Sequence, residues 1–149
     1  MRSGEVYYLD TSALVKRYLD EPGSNTVDAL FDSAHKGIAT LALSYWNLAE
    51  ASVVFDKYER RIGVKARALL RMMLGELRVL ARMQSAVVVG VSPKLLRESI
   101  RLVLEHHIYV ADALQIATAK KAQATVFVTG DKGLAGIAEA EGLKPLYTG

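Results

Sequence analysis

The stretch Val6-Tyr7-Tyr8-Leu9-Asp10-Thr11-Ser12 decides how this chain is read. Four apolar residues in succession are the pattern of a strand buried on both faces, as in a parallel sheet. The run ends on an aspartate, and ligands of open α/β sheets bind just beyond the carboxyl ends of the strands. Asp10 therefore stands where chemistry is done. A second run, Thr125-Val126-Phe127-Val128-Thr129, leads into Gly130 and Asp131 in the same way. Each aspartate also has an ordinary explanation, since Asp is common at strand ends and in turns such as Gly130-Asp131-Lys132-Gly133.

Outward from these two runs, the periodicity predicts strands separated by helices, the pattern of parallel βαβ units. After Asp10 a helix is expected over 11–20, capped by Thr11 or Ser12 and stopped by Glu21-Pro22-Gly23. A second helix is expected over 25–35 and a strand over 38–43. Ser44 then caps a helix that runs to about Arg61 and breaks at Gly63. The amphipathic segment 64–83 pairs with it as a helical hairpin. A strand over 86–91 leads through Ser92-Pro93 into a helix over 94–106, with Pro93 suited to a first turn. Helices over 110–122 and 134–140 flank the Thr125 strand, and 145–148 adds an edge strand.

The chain has 149 residues, 51% of them hydrophobic, which suits one domain spanning 1–149. Apolar stretches such as 86–91 fall far short of the roughly 20 residues of a membrane span. Arg2 and Glu5 run directly into the first strand and leave no room for a signal peptide, so a soluble, cytoplasmic protein is expected. There is no cysteine, which excludes disulfides, thiolate catalysis and cysteine metal sites. The net charge of +3 is unevenly spread. Residues 57–82 carry eight cations against two acids, +6, and the rest of the chain is −3. A basic segment beside a carboxylate-rich body suits a polyanionic substrate.

Two more carboxylates stand out. On a helix, Glu50 shares a face with Trp46, Val53 and Val54, and an unpaired buried carboxylate is costly. A place at the edge of that stripe, paired with an arginine, explains it equally well. Asp112 lies between Ile108 and Ile116 among alanines, yet an Asp in a first helical turn is favoured by the helix dipole alone. The set says more than its members. Four acids at one sheet edge raise one another's pKa unless a cation neutralises them. All-oxygen ligation selects a hard cation, Mg²⁺ or Mn²⁺, completed by substrate phosphate. Such a metal lowers the pKa of a bound water and stabilises charge on the phosphoryl group, which is the chemistry of phosphodiester hydrolysis.

The string Tyr8-Leu9-Asp10-Thr11-Ser12-Ala13-Leu14, with Lys16-Arg17-Tyr18 and Glu21-Pro22-Gly23-Ser24 after it, resembles the opening of PIN-domain ribonucleases, especially VapC-type toxins of prokaryotic toxin–antitoxin pairs. Leu48-Ala49-Glu50, Ala111-Asp112-Ala113-Leu114 with Ala117-Thr118-Ala119, and Val128-Thr129-Gly130-Asp131 follow in the family's order, over essentially the whole chain. The resemblance implies a three-layer α/β domain: a parallel sheet of four to five strands in the order 3-2-1-4-5, helices on both faces and a protruding helical hairpin. It implies an acidic pocket of Asp10, Glu50, Asp112 and Asp131, which bind the metal and carry the catalysis. Supporting hydroxyls come from Thr11, Ser12 and Thr129. The implied reaction is endoribonucleolytic hydrolysis of RNA by metal-activated water, leaving a 5′-phosphate and a 3′-hydroxyl. The alternatives are a PIN-fold nuclease acting on DNA and a non-catalytic PIN-fold binding subunit.

Lys16 and Arg17, one turn past Asp10, and Arg67 and Arg71, on one helix face with Arg78 and Arg82, are candidate RNA contacts. A solvated surface explains each of them as well. His106-His107 reads as a helix C-terminal pair complementing the dipole. The hairpin carries more leucine and methionine than one short helix buries, which points to a homodimer or a cognate antitoxin. A receiver domain is disfavoured, because the third strand ends in Ser92-Pro93 without an acceptor Asp.

Overall fold

A computed structural model describes residues 4–149 of the protein. Arg2, part of the N-terminal reading above, lies outside the described residues. Five parallel strands form one sheet in the order β3-β2-β1-β4-β5. They are β1 (Val6–Leu9), β2 (Thr40–Ser44), β3 (Ala86–Val89), β4 (Val126–Thr129) and β5 (Lys144–Tyr147). The order expected from the family resemblance is the order found. β1 lies between β2 and β4, with Tyr8 opposite Ala42 on one side and Phe127 on the other. The chain first winds from β1 toward β3 and then returns to the other side of β1, so the switch in winding falls between β1 and β4.

Strand alternation divides the interior into two layers. Leu9, Leu41, Leu43, Val126 and Val128 face a core with Leu14, Val27, Phe31, Phe55, Met73 and Leu80. Those residues come from α1 (Thr11–Leu14), α2 (Ser24–His35), α3 (Tyr45–Ile62) and α4 (Ala66–Arg82). Tyr8, Ala42 and Phe127 face the opposite core with Leu95, Leu102, Ile116, Leu134 and Ala138. That layer is built by α5 (Pro93–His106), α6 (Val110–Lys121) and α7 (Lys132–Ala140). Nearly every residue of α6 from Ala111 to Ala119 is buried, as expected of a helix without a polar face. No helix among the described residues is long and apolar enough to cross a membrane.

Capping follows the sequence signals in most places. Ser44 Oγ accepts from the Trp46 N–H and starts α3, Gly63 ends it at φ +80°, and Pro93 opens α5 behind the Ser92 cap. The first helix departs from expectation. It is a single turn, Thr11–Leu14, tightened into a 3₁₀ turn over Val15–Arg17 rather than running to residue 20. Its cap is Asp10, whose Oδ1 accepts from the Ala13 N–H at 2.9 Å, and neither Thr11 nor Ser12. The early stop has a cause in the side chains beyond it. Arg17 and Tyr18 both reach Glu76 of α4, and Lys16 turns back to the Pro22 carbonyl.

Glu76 is a four-bond node within the first layer, joining α4 to the 3₁₀ turn and to α2. It accepts from Arg17 Nε at 3.0 Å, Arg17 Nη2 at 2.8 Å and the Tyr18 hydroxyl at 2.8 Å, and pairs with His35 Nε2 at 2.8 Å. Burial pushes its carboxyl pKa up, but hydrogen bonds from Arg17, His35 and Tyr18 outweigh burial and bring it down to about 2. The unfolded carboxyl titrates near 4.5. The stabilisation is therefore complete above that value and is lost as pH falls toward about 2. Replacing Glu76 with Gln is expected to destabilise the fold by about 2 kcal/mol at pH 7, since it removes one of the two carboxylates that hold the partly buried Arg17 guanidinium and leaves Asp28 as the other. Urea denaturation at pH 7 checks this, and a midpoint equal to wild type contradicts it.

Candidate active site

At the switch point a cleft of about 350 Å³ is lined by Asp10, Thr11, Ser12, Glu50, Val53, Val54, Asp112, Gln115 and Asp131. The four predicted acids reach it from four segments. Asp10 follows β1, Glu50 lies in the second turn of α3, Asp112 in the first turn of α6, and Asp131 between β4 and α7. Thr129, the third predicted hydroxyl, is buried beneath them. Each acid sits at or near a strand or helix end, so the sheet's order brings together residues up to 121 positions apart.

Asp10 is 4% exposed, and its carboxylate is gripped by neutral donors. Oδ1 accepts from Ser12 Oγ at 2.6 Å and from the Ala13 N–H, and Oδ2 accepts from Thr129 Oγ1 at 2.5 Å. Both hydroxyls are themselves oriented by the loop after β4. The Gly130 N–H donates to Ser12 Oγ at 2.8 Å and the Asp131 N–H to Thr129 Oγ1 at 3.0 Å. A Cβ at position 130 would meet Ser12 Oγ and Lys16 Cε at 3.3 Å, a tight fit to which those side chains would have to yield slightly. Backbone amides of one strand end thus hold the acid of the other. Glu50 accepts from Thr11 Oγ1 at 2.7 Å. Asp131 is exposed and caps α7 through Leu134 N–H at 3.1 Å.

Among the described residues no Lys, Arg or His is within ion-pair distance of any of these four acids. Burial raises the Asp10 pKa to about 6 against the pull of its hydrogen bonds, with Asp112 adding repulsion. Burial also raises Asp112, and Asp131 and Glu50 push it further. The donor set is all oxygen, which fits a hard divalent cation. The carboxylate oxygens do not all close to within 4.8 Å of one another. The His/Asp/Glu group that does so among the described residues, Glu105, His106 and Glu141, is an ion-pair node. There Glu141 already meets Arg101, His106 and Lys120.

Three expectations need correction. The face of α3 that enters the core is Asn47, Ala51 and Phe55, whereas Trp46 is 42% and Val53 68% exposed. Glu50 therefore borders the cleft wall beside Val53 and Val54 and was placed by the wrong stripe. Lys16 is buried, with Nζ 2.6 Å from the Pro22 carbonyl and 3.6 Å from Glu21. Arg17 is taken by Glu76 and Asp28. Internal acceptors hold both cations. Arg67 and Arg71 are exposed on α4, outside the cleft lining. Sequence reading missed Asn47 and Gln115. Asn47 Nδ2 donates to the Leu9 carbonyl at 2.8 Å, anchoring the end of β1. The only signal for them was a lone amide three positions before Glu50 and another three after Asp112.

A parallel α/β sheet with acids ringing its switch point defines a fold class typical of metal-dependent nucleases. The chain belongs to the PIN-domain family, whose pattern it matches over residues 7–140. No curated protein sequence matches it closely enough to count as a relative. Among solved structures, PAE2754 of Pyrobaculum aerophilum superposes with a TM-score of 0.67 at 23% identity, over 97% of this chain and 92% of that one. VapC20 of Mycobacterium tuberculosis, a toxin that cleaves the sarcin-ricin loop, gives 0.63 at 18%, over 92% and 95%. FitAcB of Neisseria gonorrhoeae gives 0.63 at 20%, over 95% and 97%. At these identities the likeness establishes the fold alone.

The Asp10 shift has a sign that can be tested without substrate. The unfolded carboxyl loses its proton near 3.8 and the folded one near 6, so metal-free stability falls as pH rises across that window. The full cost above pH 6 is roughly 3 kcal/mol. Asp10→Asn keeps the cap and removes the charge. In chelator-treated protein it is expected to raise the melting temperature at pH 7.5 and change little at pH 4, and a drop at pH 7.5 would contradict the assignment.

Proposed function

We propose that the protein is a metal-dependent endoribonuclease acting as one PIN domain over 1–149, and that it is the toxin of a VapBC-like pair in the cytoplasm. The observation that carries this reading is the cleft lined by Asp10, Glu50, Asp112 and Asp131, with no basic side chain paired to them among the described residues. PIN nucleases generally use divalent metals, and these four acids would hold Mg²⁺ or Mn²⁺. The ion, when bound, supplies Lewis acidity to the phosphoryl group and an acidified water for attack. The chain's own part is orientation. Ser12 and Thr129 fix both oxygens of Asp10, Thr11 fixes Glu50, and Val53 and Val54 give the cleft an apolar wall. Incubation of single-stranded RNA with Mg²⁺ or Mn²⁺ is expected to give cleavage by wild type and none by Asp10→Asn. Equal activity in both would sink the site, and preferential cleavage of branched DNA would move the substrate class.

The exposed stripe of Arg67, Arg71, Arg78 and Arg82 on α4 has no ion pair among the described residues and suits the RNA backbone. Removing one cation that meets a single-strand phosphate should flatten the dependence of binding on log salt by about 0.7. The double variant Arg67→Ala/Arg71→Ala is expected to flatten it by about 1.4 in salt-titrated binding of single-stranded RNA, and an unchanged slope would remove these residues. A homodimer and a cognate antitoxin are proposed as partners. One support is the apolar groove of Trp46, Val91, Leu96, Tyr109 and Val110, all more than 40% exposed. The other is the likeness in fold to a chain of a toxin–antitoxin complex from Klebsiella pneumoniae.

A further inference from the structure

Among the described residues, the cleft lining holds one side-chain donor without a hydrogen-bond partner. Gln115 lies three residues beyond Asp112 on α6, hence on the same helix face, and lines the cleft with the four acids. It is 3% exposed. Its Oε1 accepts from the Tyr8 hydroxyl at 2.8 Å, while its Nε2 has no hydrogen-bond partner. Tyr8 comes from β1, is fully buried, and stacks on Phe127 with ring centroids 5.6 Å apart. The amide is thus held by its oxygen from a rigid part of the core.

Buried polar groups in native proteins are paired, so an orphaned N–H at a cleft wall points to a partner that arrives with the ligand. The other side-chain donors lining the cleft are spent, Thr11 on Glu50 and Ser12 on Asp10. Carboxylates accept only. Water donates as well as accepts, so the acids orient it unaided. A phosphodiester brings acceptors alone, and in this acidic cleft it needs a donor.

We infer that the Gln115 Nε2–H takes a non-bridging phosphate oxygen of the RNA strand, with Tyr8 as the positioning residue that fixes the amide. This rests on the ribonuclease reading above. Gln115→Met keeps the length of the side chain and removes both amide atoms, and Tyr8→Phe removes the hydroxyl alone. For each variant, thermal unfolding checks the fold, calorimetric Mn²⁺ titration without RNA reads the acids, and steady-state cleavage of a single-stranded RNA oligonucleotide gives kcat and KM. Gln115→Met is expected to bind Mn²⁺ within about twofold of wild type while kcat/KM falls about tenfold or more. Tyr8→Phe is expected to shift kcat/KM the same way by less.

Wild-type kinetics in Gln115→Met would overturn the inference, as would a loss of Mn²⁺ affinity matching the loss of cleavage, which would make Gln115 a support for Asp112. Should Gln115→Met fail to fold, unchanged kinetics in Tyr8→Phe would overturn it instead. A wild-type protein that neither binds Mn²⁺ nor cleaves RNA removes the ribonuclease reading itself. An active wild type with an unaffected variant removes Gln115 alone.

Discussion

Asp10 ends the central strand with one oxygen on Ser12 and the Ala13 amide and the other on Thr129, and with no ion-pair partner among the described residues. Neutral donors fix a carboxylate in space without cancelling its charge. The surrounding core nonetheless disfavours that charge, as the pKa of about 6 shows. Much of the fold answers to this constraint. The amides of Gly130 and Asp131 orient the two hydroxyls, Asn47 holds the Leu9 carbonyl one residue earlier, and the Asp10 N–H bonds the Val128 carbonyl at 3.1 Å. The end of β1 is tied to α3, to β4 and to the loop after β4.

The basic residues closest in sequence to Asp10 are disposed so as not to neutralise it. Lys16 is paired with Glu21 and the Pro22 carbonyl, and Arg17 with Glu76 and Asp28. Glu141 gathers Arg101, His106 and Lys120 on the other side of the sheet. Acids outside the cleft thus pair with these cations. The remaining positive charge of the hairpin stays exposed on α4. A chain of net charge +3 in this way keeps four acids together at one cleft without an ion-pair partner among the described residues.

Much of this was legible in the sequence. Strand runs, glycine stops and the Ser44 and Ser92 caps are local signals, and they place most elements within a few residues of where they stand. Strand order is not local, and it came from likeness to a family. The short first helix was not legible, because its end is set by Glu76, 59 residues from Arg17. Glu50 was found through a mistaken face: periodicity shows that α3 has an apolar side, but Trp46 and Val53 lie toward cleft and solvent rather than core. Lys16 reads as a surface cation in any window of sequence, and only the fold of the Pro22 loop buries it. For Gln115 the local signal was only its spacing from Asp112, and its bond to a tyrosine 107 residues away is not local.

The four acids differ in what else they do. Asp10 caps α1 and Asp131 caps α7, whereas Glu50 and Asp112 sit within helices and cap nothing. Without any demand on their charge, the four acids would therefore be lost in a definite order. Glu50 and Asp112 would drift first and widely, while positions 10 and 131 would be confined to Asn, Ser, Thr and other capping residues. A silent descendant of this fold would keep the outline of its cleft after the charge had gone.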